Sequence, residues 1–166
     1  MKYYTFYDTN ILGDCNEEYD ITSDDYIELL KICFKYSASF SFMITKNDSL
    51  TIKESLPNEL EKYRIYADDY VLNNYNRYMD LKRNIHCYQA CPETFDLILK
   101  INDSIFKWIN GWGNKKPEDL AFFREDGSIF FSSIVHHGEC SIYPRDNEDI
   151  SSVLSSGNWY LKTDNK

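Results

Sequence analysis

The chain has 166 residues and a formal charge of −9, because 27 acidic residues outnumber 18 basic ones. This length suffices for one domain with a full core, residues 1–166, and the negative field repels nucleic acid and anionic lipid while attracting basic partners. No run of about 18 apolar residues occurs, so we expect no transmembrane helix. Residues 1–10 lack the apolar stretch of a signal peptide, which predicts a cytoplasmic protein.

The first half of the chain predicts a mixture of strands and helices. Residues 3–7 indicate a short strand, and Thr22 opens a helix whose first turn is acidic, as the positive end of a helix favours. Apolar and polar residues alternate within residues 37–45, which predicts a strand with one face in the core. Residues 50–54 are predicted to return as a second strand.

Two stretches combine acidic residues with an expected place on the surface. The loop at residues 14–20 is either a solvated connection or a contact surface. Within residues 56–79, a helix would place three tyrosines at i, i+3 and i+7 on one face, beside two aspartates. A loop and strand would cluster the same groups, and in either case the rings could instead pack against the sheet. The residues concerned are Asp14, Glu17, Glu18, Tyr63, Tyr66, Asp68, Asp69 and Tyr70.

The second half continues the same alternation of elements. The pattern predicts strands at residues 84–89, 140–143 and 159–161, and helices that begin near Pro92, Asn102 and Asp146. Together with the first half, this predicts a single α+β domain. We expect an antiparallel or mixed sheet of about four to six strands with helices packed on it.

The strongest local signal is a pair of aromatic runs on either side of Asp126-Gly127. Asp-Gly favours a two-residue hairpin turn, because both central residues adopt positive φ. Such a turn predicts that Phe123 pairs with Phe130, and Phe122 with Phe131. Since side chains alternate between faces, Phe123 and Phe130 would share a second face. Either other elements cover that face, or it presents both rings to a partner.

No motif in the chain names a reaction or a cofactor. The best catalytic candidates are His136, His137 and Cys140, which would serve a small hydrolase if an imidazole activated the thiol. The spacing of Cys87 and Cys91 is a weak zinc signal that has no second pair of ligands. We therefore expect no catalytic residue, metal or cofactor, and five reduced cysteines.

One segment carries a family likeness. Pro117-Glu118-Asp119-Leu120 is followed by an aromatic strand, Asp126-Gly127, a second aromatic strand and His136. This pattern, from near Trp108 to Tyr143, resembles small bacterial proteins encoded beside polymorphic or contact-dependent toxins, the immunity proteins. The resemblance implies a cytoplasmic, non-enzymatic protein that binds one toxin domain and blocks it. It supplies no catalytic residues.

Composition favours the same kind of partner. The chain contains 14 tyrosines, 10 phenylalanines and 3 tryptophans, and tyrosine is enriched where proteins bind one another. An AT-rich coding bias is the alternative source of the tyrosines. We predict a cognate toxin with a basic domain, such as a nuclease, and no nucleic acid or membrane partner. A DNA-mimicking inhibitor is an alternative, which needs carboxylates along one elongated face. The predicted contacts are the eight acidic and tyrosine residues named above, together with Phe123 and Phe130.

Overall fold

A computed structural model describes residues 2–8, 19–45, 56–68, 83–108, 110–111, 114–155 and 157–163. The elements in these ranges are, in chain order, β1 (Lys2–Tyr7), α1 (Ser23–Tyr36), β2 (Ser39–Thr45), a first 3₁₀ helix (Asn58–Tyr63), β3 (Arg64–Asp68), β4 (Arg83–Gln89), α2 (Pro92–Ile101), β5 (Asn110–Gly111), β6 (Asn114–Lys115), β7 (Glu118–Phe123), β8 (Ile129–Ile134), a second 3₁₀ helix (Val135–His137), β9 (Glu139–Ile142), α3 (Ser151–Leu154) and β10 (Trp159–Thr163).

One eight-stranded sheet dominates the described part of the chain. Its strands lie in the order β10-β1-β9-β8-β7-β2-β4-β3, and all neighbours are antiparallel. The predicted α+β class is confirmed, whereas the prediction of four to six strands is wrong. The number of strands in the sheet is higher because β3 and three strands beyond the hairpin belong to it. β3 forms one end of this sheet, and β9, β1 and β10 follow one another from the hairpin to the other end. Residues 102–108, which we expected to be helical, contain no helix.

α1 covers the middle of one face of the sheet. Its sequence places an acidic pair in the first turn and Lys35 in the last, which suits the helix dipole. The ring of Phe34 contacts Phe40 of β2 and Phe122 of β7, with centroid distances of 5.9 and 5.3 Å. Beneath the helix lies an aromatic core. Its largest fully buried side chains include Trp108, Tyr26, Tyr88, Phe40, Phe42, Phe122, Phe130 and Phe131.

The opposite face of the sheet carries a row of small side chains. The register places Thr5, Ser141, Ser132, Ala121 and Ser41 next to one another across neighbouring strands. All five are buried, and the hydroxyls of Thr5 and Ser141 are 2.9 Å apart. The large aromatic core therefore lies on the helix-covered face alone.

The hairpin forms where we predicted it, but its register slips near the turn. Phe122 pairs with Phe131 as expected, whereas Phe123 pairs with Ile129 instead of Phe130. Phe130 is the extra residue of a β-bulge, and a bulge turns its residue out of the strict alternation of faces. Its ring is fully buried, 5.5 Å from the ring of Tyr36 in α1. Of the two alternatives for this face, the one in which it presents both Phe123 and Phe130 to a partner does not hold, because Phe130 is buried.

A buried ion pair ties the hairpin tip to the chain that follows β9. Arg124 Nε donates to Glu148 Oε1 at 2.7 Å, and Arg124 Nη2 donates to Glu148 Oε2 at 2.6 Å. Both side chains are 7% exposed. The same guanidinium donates to the carbonyls of Ile129 and Tyr143, and lies 5.2 Å from the Phe130 ring. The Arg124–Glu148 pair thus joins both hairpin strands to the loop before α3.

A polar cleft of about 650 Å³ lies beside this pair, between the end of α1, the hairpin tip and the loop before α3. Arg145 forms an ion pair with Asp126 at its mouth, and the Arg145 backbone N–H donates to Glu148. Three basic and three acidic side chains line the cleft, so it favours neither cationic nor anionic ligands. These are Lys35, Arg124, Arg145, Glu125, Asp126 and Glu148.

We predict that Glu148→Ala lowers the free energy of unfolding by about 3–5 kcal/mol, because it leaves a buried guanidinium without its counter-charge. Urea denaturation measures this change. Asp103→Ala is the control, since it removes an exposed ion pair with Lys107 and should have little effect. Equal effects of the two variants would show that the Arg124–Glu148 pair does not stabilise the fold.

Stability should also fall in acid. The hydrogen bonds from Arg124 lower the pKa of Glu148 below its ordinary value of 4.5. A carboxyl whose pKa is depressed by folding stabilises the folded state above its unfolded pKa and loses that contribution as pH falls through its folded pKa. We expect urea midpoints to decline below about pH 4.5, and to decline less steeply in Glu148→Gln. Parallel profiles would contradict this assignment.

Candidate partner-binding surface

Within the tyrosine-rich stretch, residues 56–68 are described and contain a 3₁₀ helix followed by a strand. The 3₁₀ helix begins after Pro57 and ends at Tyr63, and β3 then pairs with β4. The register shifts between Arg64 and Tyr66, which leaves Ile65 as an extra residue in the edge strand. Tyr63 and Tyr66 therefore do not share one helical face, and the loop-and-strand alternative applies to residues 56–68.

An exposed apolar side chain lies on this part of the surface, close in sequence to two glutamates and to the exposed basic residues Lys62 and Arg64. Ile65 is 56% exposed and, with Leu161, is one of two large hydrophobic side chains exposed in the described part of the chain. Glu59 and Glu61 precede it on the 3₁₀ helix, and both are exposed. Glu93 is exposed in the first turn of α2, which packs against the 3₁₀ helix. We call Glu59, Glu61, Tyr63, Ile65 and Glu93 the acidic edge.

Tyr63 connects the acidic edge to the core. It is half-buried and packs against the hydrophobic cluster. Burial raises the pKa of its hydroxyl, and the nearby Glu93 carboxylate and Cys91 thiol raise it further. The hydroxyl therefore stays protonated at neutral pH and can donate a hydrogen bond. Glu93 stays ionised, because the backbone N–H groups at the start of α2 lower its pKa.

A buried tyrosine supports the acidic edge from below. Tyr88 of β4 lies opposite Arg64 in the register, and its ring stacks on Phe40 at 5.5 Å. The ring is fully buried, and burial raises the pKa of its hydroxyl. Arg64 also pairs with Glu61 at 3.0 Å. The backbone that carries the acidic edge is thus held by the pairing of β3 with β4, whose Tyr88 ring is packed in the core.

The structure describes only some of the residues that we predicted to contact a partner. Tyr66 and Asp68 lie in β3, opposite Cys87 and Ile85 of β4. Phe123 is half-buried in β7, and Phe130 is enclosed in the core, which removes it as a partner contact. The predicted contacts that lie outside the described residues are Asp14, Glu17, Glu18, Asp69 and Tyr70.

Sequence reasoning missed several residues of the acidic edge. No sequence motif marks the four residues Glu59, Glu61, Ile65 and Glu93. One available signal was the β-branched, aromatic content of Arg64–Asp68, which is typical of a strand. A strand there would have implied an edge with outward side chains.

The groups of the hydrolase hypothesis do not converge. Cys140 is 1% exposed within the core, and burial raises the pKa of its thiol, so it is not a ready nucleophile. His136 and His137 are exposed on the second 3₁₀ helix. His136 Nε2 lies 3.2 Å from Glu118 Oε1 rather than beside a thiol. The described side chains thus give no Cys–His pair.

The described ranges contain neither a metal-binding cluster nor a membrane-spanning helix. No group of three or more His, Cys, Asp or Glu side chains there could hold a metal ion. Cys87 is buried in β4, whereas Cys91 caps α2 together with Thr94. No helix in the same ranges is both long and apolar enough to cross a bilayer.

Exposed acidic side chains in the described part of the chain are interspersed with basic ones. Ion pairs join Glu28 to Lys31, Glu61 to Arg64, Asp103 to Lys107 and Asp126 to Arg145. A DNA mimic needs uninterrupted carboxylates along one face.

Gly138 ends the histidine-bearing 3₁₀ helix with a positive φ of 63°. Asp8 covers it: the Asp8 N–H donates to the Gly138 carbonyl at 2.7 Å, and a Cβ at Gly138 would lie 2.1 Å from the Asp8 carboxylate. Only glycine suits both constraints. Asp8 therefore holds the turn between β8 and β9 against the end of β1.

Comparison of this chain with protein-family models, curated proteins and solved structures finds no match.

We predict that Gly138→Ala destabilises the fold more than Gly127→Ala. Both positions have positive φ, but a Cβ at Gly127 meets nothing within 4 Å. Gly127→Ala should cost about 1–2 kcal/mol of backbone strain, and Gly138→Ala about 1–3 kcal/mol more for overpacking. Thermal unfolding compares the two. Adding Asp8→Ala to Gly138→Ala should recover part of the loss, and no recovery would contradict the contact.

Proposed function

We propose that this chain is a non-enzymatic binding protein that blocks a basic protein domain by direct contact. The observation that carries the proposal is Ile65, an exposed apolar side chain on the strand that directly follows the glutamate-bearing 3₁₀ helix. Binding surfaces commonly place an apolar anchor inside a polar rim. The overall charge of −9 favours a cationic partner.

The acidic edge offers two kinds of contact. Ile65 and the half-buried ring of Tyr63 present apolar surface, which a partner would remove from water. Glu59, Glu61 and Glu93 would attract lysine and arginine side chains during approach, which raises the association rate. Because these positions lie on a 3₁₀ helix, a sheet edge and an α-helix, the surface is preorganised, which lowers the entropy cost of binding.

A toxin domain is the partner class that this surface suits. Nuclease toxins have basic clefts that bind nucleic acid, and an acidic protein can occupy such a cleft without making or breaking a bond. The resemblance of residues 108–143 to immunity proteins favours the same partner. We propose that neutralisation is by occlusion, with no nucleic acid or membrane in the complex.

We predict that Glu59→Lys/Glu93→Lys weakens the complex with the basic toxin domain encoded by the neighbouring gene. The reversed charges repel the partner, and the loss should be larger at low salt, where screening is weak. Co-expression, co-purification and titration calorimetry at two salt concentrations measure the effect. Rescue of growth from the toxin should decline in parallel. Ile65→Ala should also weaken binding, but equally at both salt concentrations, because its contribution is apolar.

The matched control is Glu125→Lys/Asp146→Lys, which makes the same change in net charge on exposed residues near the hairpin tip. If this control weakens binding as much as Glu59→Lys/Glu93→Lys, net charge alone would be responsible and the acidic edge would not be the contact surface. A wild-type chain that neither binds nor protects against the neighbouring toxin would overturn the proposed function.

A further inference from the structure

The other end of the sheet exposes an edge of different chemistry. β10 is the outermost strand beyond β1, and Leu161 at its centre is 54% exposed. Trp159, on the same side of the strand, packs against Phe6 at 5.5 Å. Leu161 therefore extends the helix-covered apolar face to the rim of the sheet.

The hydrogen-bonding pattern shows which backbone groups of β10 face outward. The Asp8 N–H donates to Gly138, on the β9 side of β1. Backbone groups alternate along a strand, so Tyr3 and Thr5 direct theirs toward β10, where they pair with Lys162 and Tyr160. The N–H and C=O groups of Leu161 consequently point away from the sheet. Those of Thr163 and the carbonyl of Trp159 do the same, while the Trp159 N–H donates to Gly157.

This edge is complementary to itself. A two-fold axis at Leu161 would set Leu161 against its own copy, with reciprocal N–H to C=O hydrogen bonds. It would also set the Thr163 N–H against the Trp159 carbonyl, while the Thr163 carbonyl would stay without a donor from this pair, because the Trp159 N–H already donates to Gly157. On the other side of the strand, Lys162 would lie opposite Tyr160. Lys162 already lies 5.5 Å from the Tyr7 ring, and Tyr160 packs on that ring at 6.1 Å.

We propose that β10 pairs antiparallel with β10 of a second copy of this chain, centred on Leu161, to form a two-fold dimer with a continuous sheet. Isologous contacts of this kind close on themselves, so assembly stops at two copies. The pairing satisfies most of the outward backbone groups of an exposed edge, which otherwise favours uncontrolled association. It also covers Leu161 on both copies.

The dimer should be weak and should respond to salt. Only β10, five residues in each copy, forms the contact, far fewer than the roughly 20–30 residues a side of a standard interface. Two copies that each carry a charge of −9 also repel each other. Added salt screens that repulsion and should strengthen the dimer. The proposed toxin complex has opposite charges and should weaken, so the two associations are distinguishable.

The first test is sedimentation equilibrium of the full chain at protein concentrations up to about 1 mM. At that concentration, even a dimer with a dissociation constant of about 1 mM is substantially populated. We expect wild-type protein to shift from monomer to dimer with concentration, and Leu161→Lys to stay monomeric. Because Leu161 is more than half exposed, the variant should keep its fold, which circular dichroism checks. A wild-type monomer throughout, or equal association of the two proteins, would overturn the proposal.

A cysteine cross-link tests the register. In a pair centred on Leu161, the two Cα atoms at that position lie about 5.5 Å apart, within reach of a disulfide. The two Cα atoms at Lys162 are offset by two residues and lie beyond the disulfide limit of about 7 Å. Mild oxidation should cross-link Leu161→Cys more than Lys162→Cys or wild-type protein. Equal cross-linking would rule out this register. If Leu161→Lys instead abolishes toxin binding while the wild type stays monomeric, the β10 edge binds the toxin domain and not a second copy of this chain.

Discussion

The structure depends on one buried ion pair, between Arg124 at the hairpin tip and Glu148 before α3. Removing two charges from water is costly, and the cost is offset only where both ions are fully hydrogen-bonded. Here Arg124 has two bonds to the carboxylate and further bonds to the carbonyls of Ile129 and Tyr143. These bonds can all form in only one arrangement of the two side chains. We infer that this arrangement fixes the bulge at Phe130 and holds the Phe130 ring beneath the guanidinium. It also anchors the chain that leads to β10.

The covering of one face by helices leaves the rims of the sheet as contact surfaces. In the described part of the chain, the two exposed large apolar side chains lie at opposite ends, Ile65 on β3 and Leu161 on β10. Their surroundings differ in charge: exposed residues of both signs, among them Glu61 and Arg64, flank Ile65 in sequence, whereas Lys2 and Lys162 lie near Leu161. We propose a basic partner for the first rim and a backbone pairing between two copies for the second.

The reactive side chains named above do not converge in the described part of the chain. The thiols of Cys33 and Cys140 are buried, and burial raises the pKa of each. The exposed imidazole of His136 pairs with the carboxylate of Glu118. Some exposed acidic side chains pair with basic neighbours, as Asp126 does with Arg145. The same burial that stabilises the core thus removes the thiols of Cys33 and Cys140 from solvent.

Local sequence was sufficient for the elements whose causes lie within a few residues. Asp126-Gly127 placed the hairpin, Pro92 opened α2, and the acidic first turn located α1, because turn and capping chemistry act over short distances. Only the tertiary structure decided the pairing of Arg64–Asp68 with β4, the burial of Phe130 and the place of Ile65. Glu148 lies 24 residues from Arg124, and Arg64 is as far from its β4 partner Tyr88. Contacts between residues so far apart leave no periodic mark in the sequence, so no local pattern could reveal them.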